Sequence, residues 1–171
     1  MNFDGYLMAL TGTPLEAKTE HTDRAALERL LNEAANALEP QLRIQHEPKG
    51  DRLGGRPDYM VRRDARISGY VEVKSVDAPL ERVRRSAQVK KYQTLSGNIL
   101  LTDYLEFVWL NGSEVHRARL GHSDDIRPGC KPPIDPRRAA EVAVLLRGFF
   151  STAPQAIARG KHLAVALASI A

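Results

Sequence analysis

The sequence predicts a mixed α/β domain, a central β-sheet of mixed strand direction flanked by helices. Three observations predict it. A leucine stripe at helical spacing precedes a run of short strand candidates, a second helical segment separates those strands from a later set, and an Asn-Gly turn joins two later strands. The chain has 171 residues, 43% hydrophobic and 27% charged, enough for one domain with a core that needs no covalent staple. Cys130 is the single cysteine, which excludes an internal disulfide and a cysteine-based zinc site.

The first thirteen residues carry an acid and no base, unlike a secretory leader, and no apolar run reaches the roughly 18–20 residues of a membrane helix. A soluble, cytoplasmic protein with no membrane partner is expected. Residues 19–38 read as a helix, with Leu27, Leu30, Leu31, Ala34 and Leu38 on one stripe, Thr19 or Thr22 as its cap and Pro40 as its stop. Strand candidates follow at 42–46, 58–62 and 69–74, with Gly54, Gly55 and Pro57 marking a turn before the second. A polar turn over 63–68 precedes the third. Residues 79–95 read as one helix opening at Pro79, capped by Asp77 or Ala78. Strands over 98–102 and 105–110 come next, and Asn111-Gly112 turns the chain into a last strand over 114–119.

Residues 121–133, rich in Pro, Gly and Asp, read as a linker after a core spanning 1–120. Residues 134–171 read as a C-terminal helical pair, one helix over 135–150 and another from Pro154 to the end. The final nine residues contain no charge, and the helix before them is apolar on much of its circumference. That pattern calls for cover, so a downstream domain is expected.

The chemistry lies in Pro57-Asp58 and Glu72-Val73-Lys74. On a strand, residues two apart share a face, so Glu72 and Lys74 point one way and Val71 and Val73 the other. Two carboxylates converging from adjacent strands suit a hard divalent cation, and a lysine beside them suits charge developing on a phosphate. A cross-strand ion pair is the bland alternative. Helical phase puts Glu20 on the core-facing side of the first helix, where a carboxylate is costly without a partner. Gln88 and Tyr92, four apart, share a face with Arg84 and Arg85 one turn earlier. The stretch 81–91 holds five bases (Arg82, Arg84, Arg85, Lys90, Lys91) against one acid, a footprint for a polyanion or else a solvated helix face.

Together these residues resemble the PD-(D/E)XK nuclease superfamily, in the branch with a Gln-X-X-X-Tyr motif. The matches are Asp58, Glu72-Val73-Lys74 and Gln88…Tyr92, in the family's order. Thr19-Glu20-His21-Thr22, Glu47-Pro48-Lys49, Gly69-Tyr70-Val71 and Leu101-Thr102-Asp103-Tyr104-Leu105-Glu106-Phe107 extend the likeness. Over about residues 19–112 the set is similar to the Mrr-like nuclease region that opens large type ISP-like restriction–modification proteins. The resemblance implies a restriction-endonuclease-like core and a DNA endonuclease dependent on Mg2+, or Mn2+ in its place. It implies Asp58, Glu72 and the Val73 carbonyl as metal ligands, with Glu20 assisting, and Lys74 as the catalytic lysine. Gln88 and Tyr92 would support the site, and Arg82, Arg84, Arg85, Lys90 and Lys91 would hold DNA phosphates. Helicase or methyltransferase regions would follow this one.

The rivals are a Holliday-junction or repair nuclease of the same fold, and a nuclease-like module that binds DNA without cutting it. Removing Asp58 or Glu72 is expected to relieve mutual repulsion and raise the melting temperature without metal. The five histidines show no metal-ligand spacing, Asp103 and Glu106 read as structural, and Tyr104, Phe107 and Trp109 read as strand core. The glycine-rich segment 50–55 opens no helix, so it is not a phosphate loop.

Overall fold

The computed structural model describes residues 1–46 and 56–154. Glu47-Pro48-Lys49, the glycine-rich segment and the expected helix after Pro154 lie outside those residues. Six strands form one sheet in sequence order: β1 (Leu42–His46), β2 (Tyr59–Arg63), β3 (Arg66–Val73), β4 (Asn98–Thr102), β5 (Glu106–Asn111) and β6 (Glu114–Arg119). All neighbours are antiparallel except β3 and β4. A parallel pair needs a crossover, and α3 (Leu80–Arg84) with α4 (Ala87–Leu95) supplies it. The expected mixed sheet with flanking helices is therefore present.

Strand alternation sorts side chains onto two faces. Tyr59, Val61, Val71, Val73, Leu100 and Phe107 pack in one core with α1 (Phe3–Leu10), α2 (Arg24–Asn36) and α5 (Pro136–Ser151). Met60, Tyr70, Ile99, Leu101, Val108 and Leu110 pack on the other face with Leu80, Val89 and Tyr92 of α3 and α4. Each fully buried apolar side chain of this size contributes roughly 1.5–3 kcal/mol. The layers are thus helix, sheet, helix.

Several elements differ from the sequence expectation. An N-terminal helix, α1, was not foreseen. It is capped by Asn2, whose side chain accepts from the Gly5 N–H at 2.9 Å. α2 begins only at Arg24 and ends at Asn36, so Leu38 lies past it and is exposed. The turn between β2 and β3 shrinks to Asp64 and Ala65, with Asp64 at φ 54°, and β3 starts at Arg66. The single helix expected over 79–95 is broken at Ser86, whose hydroxyl caps α4 by accepting from the Val89 N–H. Serine at an N-cap competes well with continued helix, which explains the break.

The segment expected as a linker is packed in part. His122 precedes a 3-10 turn over Ser123–Ile126, and Ile126 is wholly buried in the core of α1 and α2. The C-terminal helix expected over 135–150 is present as α5, and it packs in that same core through Val142, Leu145, Leu146, Phe149 and Phe150. Asn98 ties its end down by donating to the Ser68 and Phe149 carbonyls at 2.8 and 3.0 Å. Gly69 allows this approach, because a Cβ there would sit 2.9 Å from the Asn98 carbonyl oxygen. Among the described residues no helix is long and apolar enough to cross a membrane.

Candidate functional site

The chain brings Asp58, Glu72, Lys74 and Glu20 together at one end of the sheet. Asp58 stands immediately before β2, Glu72 is the penultimate residue of β3, and Lys74 follows that strand. Tyr59 pairs with Val71 across the β2–β3 hairpin, so the two acids arrive side by side by register alone. The Val73 N–H donates to Asp58 Oδ2 at 2.8 Å and locks the carboxylate to the end of β3. Lys74 is itself fixed by its backbone N–H, which donates to the Thr102 carbonyl at 2.8 Å.

The Lys74 ammonium donates to Glu72 Oε1 at 2.7 Å and to Glu20 Oε1 at 2.8 Å. Burial alone would pull this lysine down, but those two hydrogen bonds outweigh it and hold the ammonium above its usual range. The Glu72 carboxyl is pushed up by burial, partly offset by Lys74. Its second oxygen, Oε2, is buried and accepts no hydrogen bond of normal geometry among the described residues. A buried carboxylate oxygen left unpaired is costly, and it is the donor a hard cation would take.

Glu20 reaches the site by a route that helical phase did not foresee. It lies in the turn before α2, not on the helix. Tyr104 holds that turn: its hydroxyl donates to the Glu20 carbonyl at 2.5 Å, while its own carbonyl accepts from the Tyr6 hydroxyl at 2.7 Å. Tyr104 sits at φ 76° between β4 and β5, a left-handed conformation uncommon for a bulky residue. Lys18 closes the turn from the other side by pairing with Asp23 and donating to the Leu10 carbonyl at 2.6 Å.

Tyr92 of α4 is buried beneath the site, and its hydroxyl accepts from Gln88 Nε2 at 2.8 Å. Burial first, then the nearby Glu72 and Asp58 charges, push this phenol up to about 12. The expected grouping of Gln88 and Tyr92 with Arg84 and Arg85 on one face is not observed, because the helix breaks between them. Arg84 and Arg85 instead turn back on Glu81 at 2.5 and 2.9 Å. Arg82 and Lys90 are exposed and Lys91 half-buried, with no ion pair among the described residues.

Sequence reasoning missed Arg24, the first residue of α2. Its guanidinium pairs with Asp58 Oδ1 and bonds the His46 ring at 3.1 Å. An arginine opening a helix carries no signal of its own, although a lone inward Asp58 calls for a cation. Among the described residues no three acidic, histidine or cysteine side chains form a ready cage for a metal. Lys74 stands between Glu20 and Glu72, and Arg24 covers one oxygen of Asp58. Asp103 and Glu106 prove structural: Asp103 accepts from the Leu105, Glu106 and Asp77 N–H groups, and Glu106 pairs with Arg117 and Arg119.

No protein-family model matches the chain. No curated protein matches it either. Among solved structures it is similar to a DrdV–DNA complex determined by cryo-electron microscopy, at 25% identity and a TM-score of 0.65. The fold is restriction-endonuclease-like. The match takes in 90% of this chain and only 14% of the other, so the chain spans about a seventh of the length of that protein.

Proposed function

We propose that this chain is the nuclease domain of a restriction–modification or phage-defence enzyme, hydrolysing DNA phosphodiester bonds with a divalent cation. The observation that carries the reading is the convergence of Asp58, Glu72 and Lys74 around a buried carboxylate oxygen that has no hydrogen-bond partner among the described residues. Similarity to a protein solved in complex with DNA supports a DNA-binding, nuclease-like module. Asp58, Glu72 and the Val73 carbonyl are the groups that would hold Mg2+ or Mn2+, with Glu20 near the same place. Such a cation supplies Lewis acidity at a phosphate.

The chain's own residues do the rest. Lys74, protonated across the working pH range, presents positive charge where a phosphate gains negative charge in the transition state. Glu20 and Glu72 aim that ammonium by accepting from it. Tyr92, kept neutral, supports Glu72 from below without adding a charge. Arg82, Arg84, Arg85, Lys90 and Lys91 are assigned to the DNA backbone, and sequence specificity to regions beyond this chain. Helicase or methyltransferase regions of a larger, cytoplasmic protein are the proposed neighbours.

A non-cutting DNA-binding module is the second reading, favoured by the full engagement of Asp58 with Arg24 and the Val73 N–H. One experiment separates the two. Plasmid and linear DNA are incubated with the protein in Mg2+, Mn2+ or EDTA, beside the Asp58→Ala, Glu72→Ala and Lys74→Ala variants. Cleavage that needs metal and is lost in all three variants is expected. Full activity in a folded Lys74→Ala protein, or DNA binding without any cleavage, would overturn the nuclease reading.

A further inference from the structure

Strand alternation puts more than the acids on the α3–α4 face of the sheet. Met60 and Tyr70 pack there, so Asp58 and Glu72, two residues from each, open onto the same face. Val108 packs there as well, which places Glu106 on that face of β5. β6 is in register, with Arg117 opposite Val108 and Arg119 opposite Glu106. The C-terminal ends of β3 and β4, the start of β5 and the end of β6 lie at one edge of the sheet, because Val73 pairs with Thr102 and Thr102 with Phe107.

Arg117 and Arg119 both pair with Glu106, Arg117 at 2.6 Å. Arg117 also reaches Glu81 of α3 at 3.1 Å, the acid that holds Arg84 and Arg85. Four guanidiniums thus share two carboxylates and leave an excess of two positive charges. The Glu106 side chain is 7% exposed, whereas those of Arg117 and Arg119 are 44% and 36% exposed. The acid is hidden and the cations are presented. Guanidinium forks held in place lose less side-chain freedom when they take a phosphate.

We propose that Arg117 and Arg119, with Arg84 and Arg85, form a phosphate-binding ledge that carries the DNA backbone away from the Asp58–Glu72–Lys74 cluster. The inference rests on the nuclease reading and adds to it two β6 residues and the acids that aim them. β6 lies three strands from β3, roughly 14 Å at the usual spacing. That is about four nucleotides' rise along one strand of a duplex. The ledge therefore meets the substrate strand beside the reacting phosphate rather than on it.

The test is duplex binding by fluorescence anisotropy in EDTA over a salt series, so that no cutting intervenes. Removing both arginines alone would strand Glu106, so the decisive variant is Arg117→Gln/Arg119→Gln/Glu106→Gln, checked for folding by circular dichroism. It should bind more weakly, with the log–log salt slope reduced by about 0.9 for each of the two phosphates no longer neutralised. Wild-type binding with an unchanged slope in the folded triple variant overturns the ledge and leaves the nuclease reading standing. No binding of duplex by the wild-type protein overturns both. Preference for single-stranded RNA over duplex DNA overturns the assigned occupant.

Discussion

Arg24 and Asp58 form an ion pair in which both side chains are 13% exposed, so the first acid of the candidate site is tied to a cation of its own chain. Removing one partner of such a pair takes a bonded counter-charge away from the other, largely buried group. Asp58→Ala should therefore lower stability, by about 3 kcal/mol, against the expectation that removing this carboxylate raises the melting temperature. Arg24→Ala/Asp58→Ala should recover much of the loss, a coupling that urea unfolding of the single and double variants would measure.

Glu72 behaves in the opposite sense. Its carboxyl is pushed up by burial, so the folded protein binds that proton more tightly than the unfolded chain does. The sign follows from linkage: stability is fully present below the unfolded value of about 4.3 and falls as pH rises through the higher folded value. Without metal, Glu72→Gln should melt above wild type at pH 7 and match it below about pH 4. A calorimetric pH series checks this, and equal melting at both pH values would contradict it.

Ser86 starts the helix that carries Gln88 and Tyr92. Ser86→Ala should cost about 1 kcal/mol of stability. Ser86→Asp, which can also cap, should restore it. Guanidinium unfolding curves at neutral pH suffice for the comparison.

Gly148 of α5 lies against the only tryptophan, and a Cβ there would stand 2.4 Å from Cζ3 of Trp109. The ring must shift, so Gly148→Ala should lose about 1–3 kcal/mol, as overpacking usually does. Since the Trp109 indole donates to Asn98 Oδ1 at 2.7 Å, its fluorescence should change with the displacement. An unaltered emission spectrum would mean that the helix moves instead.

The acids were legible because two-residue alternation and turn chemistry act locally. Glu72 and Lys74 share a face for a reason contained in three residues. Glu20 was expected to face the core from the helix and instead meets Lys74 from the turn before it, since phase arguments assume a helix already begun and this one starts four residues later. Arg24 was not legible, because it acquires meaning only from an acid 34 residues away, whereas Arg117 and Arg119 were legible and were passed over. The Arg-Ala-Arg alternation in β6 was a signal: Ala118 is buried, so its neighbours had to share the opposite face with Glu106. The break at Ser86 was also written in the chain, as a cap-forming serine inside a helix too long for its weakly apolar pattern.

The sheet keeps its six strands in the order in which the chain makes them, and this bears on how the molecule is assembled. The β2–β3, β4–β5 and β5–β6 neighbours close over short turns, so these pairings carry little loop-closure entropy and favour rapid folding. The β3–β4 pair is the exception, because it must wait for α3 and α4 to span the gap. Asp58 and Glu72 belong to a hairpin on one side of that gap, while Arg117 and Arg119 belong to another on the far side. α1 packs on α2, and α5 packs on both α2 and β6. Two three-stranded halves, each complete in its own pairing, are thus joined at one parallel seam.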